Sequence, residues 1–409
     1  MIIKDLYARE ILDSRGFPTV EVLMTIENGI ITKASIPSGA STGRKEALEL
    51  RDNDESRYNK KGVLKAVDNI NTIIKPHLIN KSFNQQELDS ALIKLDATEN
   101  KTNLGANAML AVSIAHLKCL AKYNNKELYE EISKDNVTLP IPMINILNGG
   151  EHANNTLSVQ EFMIVPVVKS MKERVRAGAE VFHKLGSILN KENYSTSVGD
   201  EGGYAPKLKD TYEALDYIIK SITEAGYKPG VDVFIALDIA ASEFYNKNDK
   251  TYKLDNNILT SNELVKYYIE LVNKYPIISI EDPFDEDDFE SLAVLTKLIG
   301  KKVMLVGDDF FVSNAKYLYE GIKQEAGNAI LLKPNQIGTV TEFIKTIDLA
   351  NKNNYKTVMS HRSGETTDDY LADFAVGFKS NFIKTGSMSR GERIVKYNRL
   401  MEIEERLKK

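Results

Sequence analysis

Four hundred and nine residues suffice for two or three domains of roughly 150 residues each, or for one large barrel with an appendage. Hydrophobic residues make up 42% and charged ones 27%, with 24 Gly and 11 Pro, fractions that exclude a collagen-like, low-complexity or disordered chain. The formal charge of −5 arises from 53 basic and 58 acidic residues with neither sign gathered into a block, so the basic stripe of a general nucleic-acid binder is missing.

The opening MIIKDLYARE places Lys4, Asp5, Arg9 and Glu10 where a secretory signal needs an unbroken apolar core. Cys119 is the sole cysteine and cannot form an intrachain disulfide. No run approaches the ~20 apolar residues that cross a bilayer. The expectation is a cytoplasmic chain with no membrane span and no dedicated nucleic-acid site.

Residues 2–12 and 20–26 are rich in β-branched and apolar side chains, and Asn28-Gly29 separates the second run from residues 30–36. Asn-Gly between such runs signals a hairpin, because both turn positions need positive φ. Helical spacing follows: Val63, Val67, Ile70 and Ile74 share one face. Asn84 with Glu87 three residues on forms a capping-box pattern. Residues 103–123, dense in Ala and Leu, predict a long buried helix in which His116 is structural. Residues 1–132 therefore read as a small α+β capping domain, and Leu139-Pro140-Ile141-Pro142 marks the passage to a second domain at 133–409.

Beyond that point short apolar runs each end in a polar or charged group: Glu161, Glu201, Asp238, Glu281, Asp308, Lys333, His361 and Lys384. Their spacing, 23 to 43 residues, brackets the roughly 30 residues of a βα unit. Eight units close a (β/α)8 barrel, whose active site lies at the C-terminal ends of the strands. The fold class expected is α/β, a TIM-type barrel preceded by a smaller α+β domain.

Taken singly, each acid is better explained as an exposed loop residue or a helix N-cap. Asp238, Glu281 and Asp308 on consecutive strands, however, would repel one another in one mouth unless a cation neutralised them. All-oxygen ligands favour Mg²⁺ over Zn²⁺. A cation beside Lys333 or Lys384 would push the lysine toward its neutral, basic form; salt bridges to the same acids are the plainer alternative. Glu161 and Glu201 form a second carboxyl pair, able to share one proton and so to supply a general acid. His152, His361, Arg362 and Ser363 add donors suited to phosphate or carboxylate. Gly39-Ala40-Ser41-Thr42-Gly43 matches the G-x-S-x-G nucleophile elbow, but Pro37 precedes it and no oxyanion segment lies upstream. A loop that folds over a ligand explains it better than a serine hydrolase.

Eleven segments, ILDSRGFPTVEV, PSGASTG, NGGEHA, QEFMIVP, GDEGG, ALDIAASEFY, SIEDPF, GDDFFVSN, LLKPNQIGT, SHRSGET and IKTGSMSR, resemble the enolase family in its own order along essentially the whole chain. The resemblance implies reversible dehydration of 2-phospho-D-glycerate to phosphoenolpyruvate and water, in glycolysis and gluconeogenesis, by a homo-oligomer, dimer or octamer. It implies Lys333 as base, Glu201 as general acid with Glu161 as its partner, and His152 closing over the leaving group. Two Mg²⁺ per site are implied, one held by Asp238, Glu281 and Asp308, the other arriving with substrate through Ser41 and the phosphate. Lys384 would hold the substrate carboxylate, Arg362 and Ser363 the phosphate, and His361 would line the same wall. Phe17 stands where the family usually has Asn, and Glu151, Asn154 and Asn155 vary the loop around His152. A different superfamily member, such as a racemase, would share barrel and metal but not GDEGG or PSGASTG.

The chemistry itself requires cations. A proton α to a carboxylate is very weakly acidic, and its removal leaves two negative charges on that carboxylate. A positioned base supplies roughly 10²–10⁴ in rate, whereas enzymes supply about 8–23 kcal/mol in all, so the remainder must be electrostatic.

Overall fold

A computed structural model describes residues 1–39, 43–133 and 136–408. The chain begins with an antiparallel sheet, β1 (Ile3–Leu12), β2 (Pro18–Ile26) and β3 (Ile31–Ser35), in sequential order. β2 and β3 are joined through the predicted Asn28-Gly29 turn, with Gly29 at φ +81°. Helices follow: α1 (Leu64–Asp68), a π-helical stretch Asn69–Ile74, α2 (Lys75–Leu78), α3 (Gln85–Asp96), α4 (Ala106–Tyr123) and α5 (Leu128–Ile132). The predicted capping box is present: Asn84 accepts from the Glu87 amide, and Glu87 accepts from the Asn84 amide. α4 starts three residues later than expected, because the Asn103 and Leu104 amides donate to Asp96 Oδ2 and Gly105 turns at φ +95°. Lodged between β2, β3, α3 and α5, α4 is apolar around its circumference. Each fully buried Ile, Leu or Met there is worth about 1.5–3 kcal/mol over exposure. Cys119 is buried on this helix, its thiol pushed up to about 11 by burial.

Then come β4 (Ile141–Asn148), β5 (Glu161–Pro166), α6 (Met171–Lys191), α7 (Thr211–Glu224) and β6 (Val233–Asp238). A small ribbon, β7 (Tyr245–Asn246), β8 (Thr251–Leu254) and β9 (Asn257–Thr260), precedes α8 (Ser261–Lys274). Regular alternation completes the chain: β10 (Ile277–Glu281), α9 (Phe289–Ile299), β11 (Met304–Gly307), α10 (Ala315–Lys323), β12 (Ala329–Leu332), α11 (Val340–Lys352), β13 (Lys356–Ser360), α12 (Tyr370–Gly377), β14 (Phe382–Lys384) and α13 (Gly391–Leu407). Among the described residues eight strands close a barrel, in the order β4-β5-β6-β10-β11-β12-β13-β14.

The barrel and the separate strand-rich N-terminal domain are as expected, but the first two units are not βα repeats. β5 runs antiparallel to both β4 and β6, and Glu161 is its first residue, not its last. Glu201 ends no strand; it sits in the connection between α6 and α7. The barrel strand missed by the sequence reading is β4, where Pro142, with Pro140 just ahead of it, reads as a breaker, and the ribbon β7–β9 was missed as well. Because β5 is reversed, its start and the ends of the parallel strands meet at the same rim, with Glu161 opposite Asp238.

Side-chain period explains what points into the mouth. Met163, Ala236, Val306 and Leu331 pack together in an apolar layer inside the barrel. Two residues farther toward the rim, at the rim ends of β5 and β6 and one residue past β11 and β12, stand Glu161, Asp238, Asp308 and Lys333, on the same inward face. The N-terminal domain closes over this rim: Ser38 and Gly364 exchange backbone hydrogen bonds at 2.8 and 2.9 Å, and the Ala47 amide donates to the Gln336 carbonyl at 2.9 Å.

Candidate active site

Three strand ends converge on one ammonium. Lys384 Nζ, from β14, donates to Asp238 Oδ2 at 2.8 Å and to Glu281 Oε2 at 2.9 Å, and lies 3.1 Å from Glu161 Oε1. Burial opposes its charge, but Asp238, Glu161 and Glu281 outweigh burial and hold it raised. Burial pushes the Glu281 carboxyl upward, reinforced by the neighbouring Asp238 charge. Lys333 Nζ donates to Asp308 Oδ2, while Gln336 Nε2 donates to Asp308 Oδ1 at 2.9 Å. Asp308 is held low because Lys333 overrides burial. Lys333 is raised for the reciprocal reason, Asp308 outweighing its burial. The downward shift expected of the lysines is thus reversed among carboxylates alone; it requires a second positive charge among them.

Beside them lie two further acids: Glu161, which shares Lys384, and Glu201, which has no lysine partner among the described residues. The loop 199–203 folds back on itself, the Gly199 amide donating to the Gly203 carbonyl at 2.8 Å, with Gly202 at φ +88°. A Cβ on Gly203 would meet Asn148 Oδ1 at 2.7 Å, so this approach requires glycine. The loop delivers Glu201, whose Oε2 accepts from Asn145 Nδ2 at 3.1 Å and faces His361 Nε2 at 3.2 Å. Arg393 Nη1 donates to His361 Nδ1 at 2.7 Å; since arginine only donates, the imidazole proton sits on Nε2, toward Glu201. Burial lowers His361 to about 4, so it is neutral. His152 Nδ1 lies 3.5 Å from Glu161 Oε1 and 3.6 Å from Glu201 Oε1, and its Nε2 pairs with Ser363 Oγ at 3.1 Å.

The two carboxyls divide as a proton-sharing pair does. Burial and the adjacent Glu201 charge push Glu161 well up, whereas His152, His361 and Arg393 overcome burial and hold Glu201 low. Of the two, Glu161 is the carboxyl that holds a proton more tightly.

His152, Glu161, Glu201, Asp238, Asp308, Lys333, His361, Arg362, Ser363 and Lys384 all line one cavity, and Glu281 joins them through Lys384. Ser41 lies outside the described residues. The oxygens of Asp308 gather within 4.8 Å of Asp282 and Asp309 rather than directly with Asp238 and Glu281. Asp282 uses both its oxygens on the Asp308 and Asp309 amides, at 2.8 and 2.9 Å, and so braces the end of β11. Polar capacity is left unspent: Glu161 Oε2 and Gln160 Oε1, together with the ring nitrogens His152 Nδ1 and His361 Nε2, are buried with no hydrogen-bond partner among the described residues. A crowd of anionic oxygens with unspent acceptor capacity fits a hard divalent cation.

Sequence reading missed Gln160, Asn145, Asp282, Arg393 and Glu46. Gln160 and Asp282 adjoin assigned acids in QEF and SIEDPF, a usable signal; the others declare themselves only through the fold. Glu46, from the N-terminal domain, clasps the Arg362 guanidinium with Oε2 at 2.9 Å from Nη1 and Oε1 at 3.2 Å from Nη2.

Comparison with known proteins follows the two-domain division. Residues 3–132 match the family profile described as "Enolase, N-terminal domain", and residues 136–409 match "Enolase, C-terminal TIM barrel domain". A Helicobacter pylori protein named Enolase is 52% identical over 412 residues, covering 100% of this chain and 97% of that protein.

Proposed function

The chain belongs to the enolase family, and on that premise we propose how its barrel mouth divides the work of the family reaction. That reaction is the Mg²⁺-dependent, reversible removal of water from 2-phospho-D-glycerate to give phosphoenolpyruvate, a hydro-lyase step of glycolysis. The observation that carries the division is the meeting of two groups at Glu161: Lys333 and Lys384 with Asp308, Asp238 and Glu281 on one side, Glu201 and His152 on the other, with Glu161 Oε1 3.1 Å from Lys384 Nζ and 3.5 Å from His152 Nδ1.

Lys333 Nζ takes the α-proton; among the described residues its one hydrogen-bonded carboxylate is Asp308, and neutralising that negative charge makes the ammonium a stronger acid, so that it can lose its proton and act as the base. Lys384 turns its ammonium to the substrate carboxylate, and Arg362 and Ser363 grip the phosphate. Glu201 protonates the departing hydroxide, resupplied from the proton held on Glu161, with His152 over the leaving-group side and His361 fixing Glu201 from behind. Two Mg²⁺ are assigned per site: Asp238, Glu281 and Asp308 would hold the first, and Ser41 with the substrate phosphate the second. When bound, the metal supplies positive charge beside the doubly anionic carboxylate.

The domain limits 1–132 and 133–409, a homo-oligomeric state and a cytoplasmic location belong to the same reading. No helix among the described residues is long and apolar enough to cross a membrane. The test is direct: purified chain with Mg²⁺ should convert 2-phosphoglycerate to an ultraviolet-absorbing enol phosphate, and EDTA should abolish it. Glu201→Gln should keep α-proton exchange with solvent while losing dehydration; parallel loss of both would refute the division of labour.

A further inference from the structure

We propose that Glu46 is a positioning residue for Arg362, through which the N-terminal domain fixes the direction in which the phosphate-binding guanidinium points. The inference rests on the assignment of Arg362 to phosphate made above. Glu46 and Arg362 meet as two forks, Oε2 accepting from Nη1 at 2.9 Å and Oε1 from Nη2 at 3.2 Å, with side chains 7% and 3% exposed. A two-point pair fixes the plane of the guanidinium, where a single contact would leave it free to rotate about its long stem. Asn335 Oδ1, accepting from Nη1 at 3.1 Å, closes the same edge. Glu46 also counters the burial that disfavours the Arg362 charge.

The same carboxylate reaches beyond the arginine. Its Oε1 accepts from the Gly43 amide at 3.0 Å and from Gln336 Nε2 at 3.4 Å, and Gln336 in turn donates to Asp308. One side chain of the N-terminal domain therefore touches the phosphate arm and, through Gln336, the metal-ligand arm. An active site drawn from barrel strands alone would have an arginine without its counter-fork.

A merely structural pair would change stability; a positioning pair changes affinity for phosphate. The full chain with Mg²⁺ is compared with Glu46→Gln, which keeps the size but removes the charge and faces one Nη with a competing donor, and with Glu46→Asp as the charge-retaining variant. The KM for 2-phosphoglycerate and the inhibition constant of inorganic phosphate should both rise about tenfold in Glu46→Gln, with kcat changed less than about threefold. Glu46→Asp should recover part of both, and Glu46→Gln should add nothing in an Arg362→Lys background. Lower melting temperature or kcat with unchanged KM and phosphate inhibition overturns the proposal. If Arg362→Lys itself leaves both constants unchanged, the assignment of Arg362 fails; if Arg362→Lys weakens both and neither Glu46 variant does, only the role of Glu46 fails.

Discussion

Asp89 and Glu161 are both carboxyls pushed upward by burial, yet their surroundings are opposite. At the junction of α3, α4 and α11, Asp89 accepts from Ser113 Oγ and Thr341 Oγ1 at 2.6 Å, from the Thr341 amide at 2.8 Å and from Gln85 Nε2 at 3.2 Å. In the barrel mouth, Glu161 Oε2, Gln160 Oε1 and His152 Nδ1 have no hydrogen-bond partner among the described residues, although equally buried. The perturbed carboxyl alone does not distinguish a brace from a working site. The donor count does: a saturated network is finished when the chain folds, and an unsaturated one is completed by what binds.

The largest effect expected from that difference is at Lys333. Lys333→Ala should lower kcat by roughly 10³–10⁴ while Mg²⁺ affinity, followed by titration, changes far less. Comparable losses in both would make Lys333 a brace like those around Asp89, and the contrast would collapse.

Next comes the brace itself. Asp89→Ala strands the Ser113 hydroxyl and the Thr341 hydroxyl and amide, and should cost about 4 kcal/mol in denaturant unfolding, since each orphaned buried group costs about 1–3. Turnover per folded molecule should be unchanged. A hundredfold fall in kcat below the unfolding transition would place this network in the catalytic apparatus.

How much of each region was readable in the sequence follows from the distance over which its partners lie. Apolar runs ending in charge exposed the six regular strand ends, and Asn84 with Glu87 declared the start of α3, because those signals span a few residues. The antiparallel β5 was not readable: a strand of either direction has the same period of two, and Pro140 and Pro142, just before and inside the start of β4, concealed its partner. Nor was the π-helical stretch at Asn69–Ile74, because Ile70 and Ile74 satisfy an α-helical spacing equally well. Asp89 meets Thr341 across 252 residues and Glu46 meets Arg362 across 316, pairings that no local pattern encodes.

A pH measurement sharpens the contrast further. His116, beside the brace, donates through Nδ1 to Gln85 Oε1 at 2.9 Å, and burial lowers it from 6.5 to about 4. The folded chain thus binds this proton less readily than the unfolded chain. Its contribution to stability is present above pH 6.5 and is lost as pH falls toward about 4, a span worth about 3 kcal/mol. His116→Gln, which keeps a donor toward Gln85, should flatten the acid limb of the stability curve by about that amount. An unaltered acid limb would mean that His116 is already protonated in the fold, the proton sitting on Nε2, which has no hydrogen-bond partner among the described residues.

The smallest effect tests whether the brace is addressed through its helix. Asn84 accepts from the Glu87 amide at 2.9 Å, and Glu87 Oε2 accepts from the Asn84 amide at 2.8 Å, so the first turn of α3 is closed reciprocally just ahead of Gln85 and Asp89. Asn84→Ala removes one half of that closure and should cost about 1 kcal/mol. Because Gln85 is the first residue of α3 and ties both Asp89 and His116, fraying there should loosen the brace before the barrel. Hydrogen exchange should then accelerate at residues 85–89 and 340–342 while the amides of β12 and β13 keep their protection, and kcat should stay as it is. Faster exchange spread evenly through both domains would show instead that brace and barrel unfold as one unit, so that a loss of either is felt by both.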